Sequence, residues 1–114
     1  MSRIATIQSE VCAHYGISLR DINGQCRQRH IAHPRQMAMA IARDLDPQPS
    51  YPEIGAKFGG RDHTTALHAF KAVQKRQEEN PDYHAEFMLV SGRVLEAINP
   101  NRVIFRTSRK GATQ

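Results

Sequence analysis

Five consecutive residues, Arg61-Asp62-His63-Thr64-Thr65, bring together groups that can read the edges of base pairs. A carboxylate accepts from cytosine N4, a histidine donates to a guanine or thymine acceptor, and a threonine methyl packs on the thymine methyl. The same residue types also suggest acid–base or nucleophilic chemistry. Neighbouring residues on a helix diverge by about 100°, however, so Asp62, His63 and Thr64 cannot face one another as orienter, base and nucleophile. No catalytic residue is assigned, and the chain is not read as an enzyme. His63 and His68 are five apart and also diverge, while His30 and His33 have no acidic or thiol companion. No metal site and no cofactor is assigned.

The flanking residues say how such a group would be held. Ser50 and Glu53 have the S-x-x-E spacing of a capping box. Pro52 falls inside the first helical turn, where its missing N–H costs nothing. Ile54 and Phe58 are four apart and share a face. Gly59-Gly60 can adopt positive φ, end that helix and redirect the chain. Asp62 is the expected N-cap of the next helix, accepting from the N–H of Thr64 or Thr65. Ala66, Phe70 and Val73, with Leu67, supply its apolar stripe. A short helix, a glycine turn and a second helix with base-reading groups on its tip make a helix-turn-helix, whose second helix enters the major groove.

The 114 residues suit one small domain, with 39% hydrophobic residues for a modest core. A net charge of +5 favours an acidic partner such as nucleic acid. Cys12 and Cys26 are isolated, so neither a disulfide framework nor a zinc site is expected, and Cys12 reads as a small buried hydrophobe. No apolar run reaches the length of a membrane span and no signal-peptide core opens the chain. A reducing, cytoplasmic setting without a membrane partner is the expectation.

Along the chain, Ile4, Ile7, Val11 and Tyr15 recur at helical spacing and Gly16 closes that helix. Ser18 caps a short turn through Leu19 and Ile22, ended by Gly24. Residues 25–33 read as a polar, basic connection. Pro34 is expected to start another helix, with Met37, Ile41 and Leu45 on its buried side. Residues 46–50 form a stiff loop. Asn80-Pro81 stops one helix and begins the last, marked by Tyr83, Phe87, Val90, Val94 and Ile98. Phe58, Phe70 and Phe87 lie on apolar stripes and are core rather than stacking platforms, which disfavours a binder of RNA or single strands. The predicted fold is all-α, a small bundle of five or six helices containing the helix-turn-helix. It spans 1–98, followed by a basic tail over 99–114 with Arg102, Arg106, Arg109 and Lys110 and no acid.

Gly59-Gly60-Arg61-Asp62-His63-Thr64-Thr65, preceded by Glu53-Ile54-Gly55 and Phe58, resembles the signature of the C-terminal DNA-binding domain of DnaA, the bacterial replication initiator. The resemblance runs upstream through Pro34-Arg35-Gln36-Met37-Ala38-Met39 and the basic loop around Arg27, and covers roughly residues 3–96. It implies binding to a short asymmetric duplex, the DnaA box, written TTATNCACA. Arg27 then matches the arginine that enters the minor groove, where A·T-rich sequence concentrates negative potential. Pro52 matches a residue packed on a thymine methyl, and Asp62 and His63 match major-groove base contacts. Thr64 and Thr65 match residues that meet a thymine methyl and a phosphate. Arg35, Gln36 and Arg43 match phosphate contacts, and Arg61 is grouped with them.

The sequence departs from the family pattern at His33 and Cys26, where arginines are usual, and at Tyr51, often aliphatic. No G-x-x-x-x-G-K-[ST] phosphate loop occurs, so no nucleotide is expected and the chain reads as the DNA reader without an ATPase module. Two function classes follow. One is sequence-specific duplex binding that regulates replication initiation or transcription. The other is a protein-interaction module, with the last helix and tail docking on a partner or a second copy and DNA binding lost. Retention of Arg27, Asp62, His63, Thr64 and Thr65 favours the first.

Overall fold

The computed structural model describes residues 3–45 and 47–99. Among them the chain forms six α-helices and no strand. Helix α1 (Arg3–Tyr15) buries Ile4, Ile7 and Val11 on one face and ends at Gly16. Helix α2 (Leu19–Ile22) is a single turn. It forms because Ser18 Oγ accepts from the Asp21 N–H at 3.0 Å while Asp21 Oδ2 accepts from the Ser18 N–H at 3.4 Å.

Helix α3 (Arg29–Arg43) begins earlier than Pro34, correcting the expected start. Pro34 lies inside the helix, where it forgoes a single bond to the carbonyl four residues back. Burial of Ile31 one turn before Pro34 and Arg35 draws the basic segment into helical geometry. Six successive residues, Met37 through Ala42, are all buried. A helical stretch buried on every side must be central. The small side chains of Ala38, Ala40 and Ala42 let neighbours approach closely, and α3 packs against α1, α2 and α5.

Helix α4 (Tyr51–Lys57) starts at Ser50, whose Oγ accepts from the Glu53 N–H at 3.2 Å, the serine half of the expected box. Helix α5 (His63–Glu79) buries Ala66, Ala69 and Val73, with Phe70 half-buried beside them. Asn80 closes α5 and opens α6 (Pro81–Ile98), its Oδ1 accepting from the N–H groups of Asp82 and Tyr83. Helix α6 covers α1 and α5 with Phe87, Val90 and Val94. Cys12 is buried, as expected. Residues 100–114, and with them the basic tail, lie outside the described residues. No helix among the described residues is long and apolar enough to cross a membrane.

Candidate nucleic-acid interface

Helices α4 and α5 and the turn between them build the helix-turn-helix. Gly59 and Gly60 have φ of +83° and +74°, the left-handed region that a side chain disfavours. Gly55 serves a different end. A Cβ there would lie 2.4 Å from the Arg61 carbonyl oxygen and 2.6 Å from that of Asp62, so α4 and the start of α5 meet backbone to backbone. The Arg61 N–H closes the turn by donating to the Gly55 carbonyl at 2.8 Å.

At the tip of α5, Asp62 Oδ1 accepts from the Thr65 N–H at 2.9 Å and from Thr65 Oγ1 at 3.1 Å. The Thr65 backbone bond, then its hydroxyl, and more weakly His63, hold the Asp62 carboxyl below the usual carboxylate range. It is an anion at neutral pH, with Oδ2 outside both capping bonds. Thr65 spends its hydroxyl on the cap and leaves its methyl. Asp62, His63, Thr64 and Thr65 are all exposed, as is Pro52 at the start of α4. The tip of the helix is unobstructed by the rest of the described fold.

The basic loop before α3 presents Arg27 exposed, with Arg29 and His30 exposed just beyond it. Among the described residues no acidic side chain forms an ion pair with Arg27, Arg35, Arg43 or Arg61. The positive charge on this side of the molecule is therefore not internally neutralised, which favours an anionic partner. A cleft of about 200 Å³ between α3 and α5 is lined by Arg35, Gln36, Arg61, Thr65 and His68. Four of the ten residues singled out in the sequence thus meet along one cleft.

Arg35 and Arg61, for which phosphate contacts are expected, donate to backbone carbonyls of the fold. Arg35 is only 7% exposed. Its Nε donates to the Ile22 carbonyl at 2.7 Å and its terminal nitrogens to those of Cys26 (3.0 Å), Asp21 (3.0 Å) and Gly24 (3.4 Å). Arg61, half-buried, donates to the carbonyls of Phe58 and Gly24. The reason lies in α2 and the loop after it, whose carbonyls have few helical partners and need donors from elsewhere. A guanidinium supplies five donors in a planar fork, more than any other side chain. Burial, and then the neighbouring Arg61 charge, lower Arg35 below the usual arginine value; burial also lowers Arg61.

Gln36 Oε1 accepts from Arg76 at 3.1 Å, and Arg76 also reaches Tyr83 OH at 3.4 Å and His33 Nε2 at 3.5 Å. Burial, then the Arg76 and Arg29 charges, push His33 below its usual value, which disfavours its charged form. Arg43 lies over the Tyr51 ring, 3.9 Å from its centroid, and donates to the Pro49 carbonyl at 2.8 Å. Tyr51 in turn meets Phe70 edge-on. Arg43 thus ties the end of α3 to the loop before α4.

Two residues that matter here escaped sequence reasoning. Gln8 is 7% exposed, and its Nε2 donates to Asn23 Oδ1 and to the Lys57 carbonyl, both at 3.1 Å. Its signal was a polar residue on the apolar face of α1, four after Ile4. Asn23 carried no local signal beyond being a turn residue.

The family described as bacterial dnaA protein helix-turn-helix matches residues 4–73, from α1 through most of α5. Relatives named chromosomal replication initiator protein DnaA are similar over most of this chain. The protein from Psychromonas ingrahamii is 47% identical over 87 residues, 76% of this chain and 19% of its own length. That from Sphingopyxis alaskensis is 44% identical over 87 residues, with the same shares of 76% and 19%. That from Francisella tularensis subsp. tularensis is 42% identical over 92 residues, 81% of this chain and 18% of its own. The chain thus spans less than a fifth of the length of these curated relatives. With the matched residues carrying both the glycine turn and the capped tip of α5, the chain belongs to the bacterial DnaA protein helix-turn-helix family.

Proposed function

We propose that this protein binds double-stranded DNA sequence-specifically at DnaA-box-like sites and thereby regulates replication initiation or transcription. The observation that carries the reading is the α5 tip, capped through one oxygen of Asp62 with its base-reading side chains exposed. In this reading Asp62 and His63 meet base edges in the major groove, the methyl of Thr64 and the ring of Pro52 pack on thymine methyls, and Thr65 meets a phosphate. Arg27 enters the adjacent minor groove. Gln36 and Arg43 meet phosphates at the groove edge. Residues 99–114 add sequence-independent attraction through Arg102, Arg106, Arg109 and Lys110.

Anisotropy titrations with a box-containing duplex and a scrambled duplex across a salt series test this. The box is expected to bind ~10³-fold tighter or more at moderate salt. Equal affinity for the two duplexes at every salt concentration would sink the reading. It would favour the protein-interaction module instead, for which exposed Met88 and Leu89 on α6 are the supporting observation.

Substitution separates the contact types. His63→Ala is expected to lose about 1–3 kcal/mol of discrimination at particular base pairs. Arg43→Ala is expected to weaken all duplexes nearly equally and flatten the salt slope by about one unit. Identical behaviour of the two variants would show that base and phosphate contacts are wrongly divided between them.

A further inference from the structure

The Gly24 carbonyl accepts from two guanidiniums, Arg35 of α3 and Arg61 of the helix-turn-helix turn. It is one of several points at which the loop after α2 is tied to that turn. Gln8 bridges Asn23 Oδ1 and the carbonyl of Lys57, the last residue of α4. A Cβ on Gly59 would lie 2.2 Å from the Asn23 carbonyl oxygen, so the backbones of loop and turn are in contact. Arg35 continues the ties along the loop, through the carbonyls of Asp21, Ile22 and Gly24 to that of Cys26, the peptide preceding Arg27. Residues 25–27 have no regular secondary structure of their own. Among them the Cys26 carbonyl is held by Arg35 of α3, while Gln8 of α1 and Arg61 of the turn hold Asn23 and Gly24 just before them.

We propose that Gln8, Asn23, Arg35 and Arg61 are positioning residues that lock the Arg27 loop to the helix-turn-helix turn, so that both DNA-reading elements meet the duplex at one fixed spacing. The proposal rests on the DNA-binding reading above. It assigns these side chains a role in register rather than in contact. A loop held only at its ends opens at little cost, and an arginine on such a loop follows the phosphates wherever they lie. An arginine whose preceding peptide is bonded to the core reaches the minor groove only where the α5 tip places it. Discrimination in the A·T-rich half of a site would then depend on residues that touch no DNA.

Gln8→Met and Asn23→Ala test this, because neither alters a charge or a residue placed against DNA. Each is titrated, alongside the unsubstituted chain, against the box, a box with G·C pairs in its A·T-rich half, a box altered in the major-groove half, and a box with one base pair inserted between the halves. Thermal melts accompany every titration. The unsubstituted chain is expected to lose about tenfold or more on the insertion, within the range of a single base mismatch. The variants are expected to lose most of their discrimination in the A·T-rich half and most of the insertion penalty. Discrimination in the major-groove half should stay within about twofold, inside the spread of independent sites.

If both halves weaken in parallel, or neither changes, in folded variants, the positioning role is overturned. If a variant does not fold, the insertion duplex decides with the unsubstituted chain alone: equal affinity with and without the insertion overturns the proposal. If the unsubstituted chain does not distinguish box from scrambled duplex, the DNA-binding reading has failed and this proposal falls with it. If it does distinguish them while tolerating the insertion, only the fixed spacing is lost.

Discussion

Replacing Gly55 by alanine is expected to cost this protein about 3 kcal/mol or more of folding stability. Helix propensity alone predicts the opposite sign, a gain of roughly 1 kcal/mol, because Gly55 sits inside α4 without a positive φ. The close approach decides which effect wins. The added methyl would stand 2.4 Å and 2.6 Å from the carbonyl oxygens of Arg61 and Asp62, separations that real Cβ atoms essentially never show. Both are backbone atoms and cannot swing away as a flexible side chain would. Relief requires α4 and α5 to part, which lengthens the Arg61 N–H to Gly55 carbonyl bond and tilts the α5 tip. For a domain of this size the melting temperature should fall by ~12 °C or more. An unchanged or raised melting temperature would show that the two helices separate at no cost and that the glycine is present for another reason.

Replacing Arg35 by methionine is the second large effect. Methionine keeps much of the length and packing of the side chain and has no N–H to donate. The carbonyls of Asp21, Ile22 and Cys26 would lose their guanidinium partner together, and that of Gly24 would keep only Arg61. Hydrogen bonds to a charged group contribute about 1.5–3 kcal/mol each, though water can reach some of these carbonyls and the terms are not additive. A loss of about 3–5 kcal/mol is expected, read by urea or thermal unfolding. Lysine should recover only part of it, because one ammonium cannot span carbonyls distributed along the loop. If Arg35 acted through a phosphate instead, Arg35→Met would leave the melting curve alone and lower only DNA affinity and its salt slope. Unfolding curves without DNA therefore distinguish the two roles.

Helix identities and their ends were readable because their causes are local. The Ser18, Ser50, Asp62 and Asn80 caps act within three residues of themselves, and each stands where the spacing placed it. The stripes of α1 and α6 were legible for the same reason, since helical periodicity ties burial to sequence distance. The start of α3 was misplaced because Pro34 is a local stop signal outweighed by burial of Ile31 on the far side of it. The family signature was equally local, a run of seven residues from Gly59 to Thr65 in which the turn, the cap and the exposed tip follow one another directly.

What the sequence by itself determined, then, is an all-helical domain of the bacterial DnaA helix-turn-helix family with a capped, exposed recognition tip. What only the tertiary structure decided is the employment of its arginines and of Gln8. Arg27 and Arg35 are the same residue type eight positions apart, one exposed and one spent on backbone carbonyls. Nothing local distinguishes them. A guanidinium goes where unpaired acceptors are most expensive to leave, and which carbonyls lack partners is known only once α2, its loop and the turn of the helix-turn-helix have been brought together.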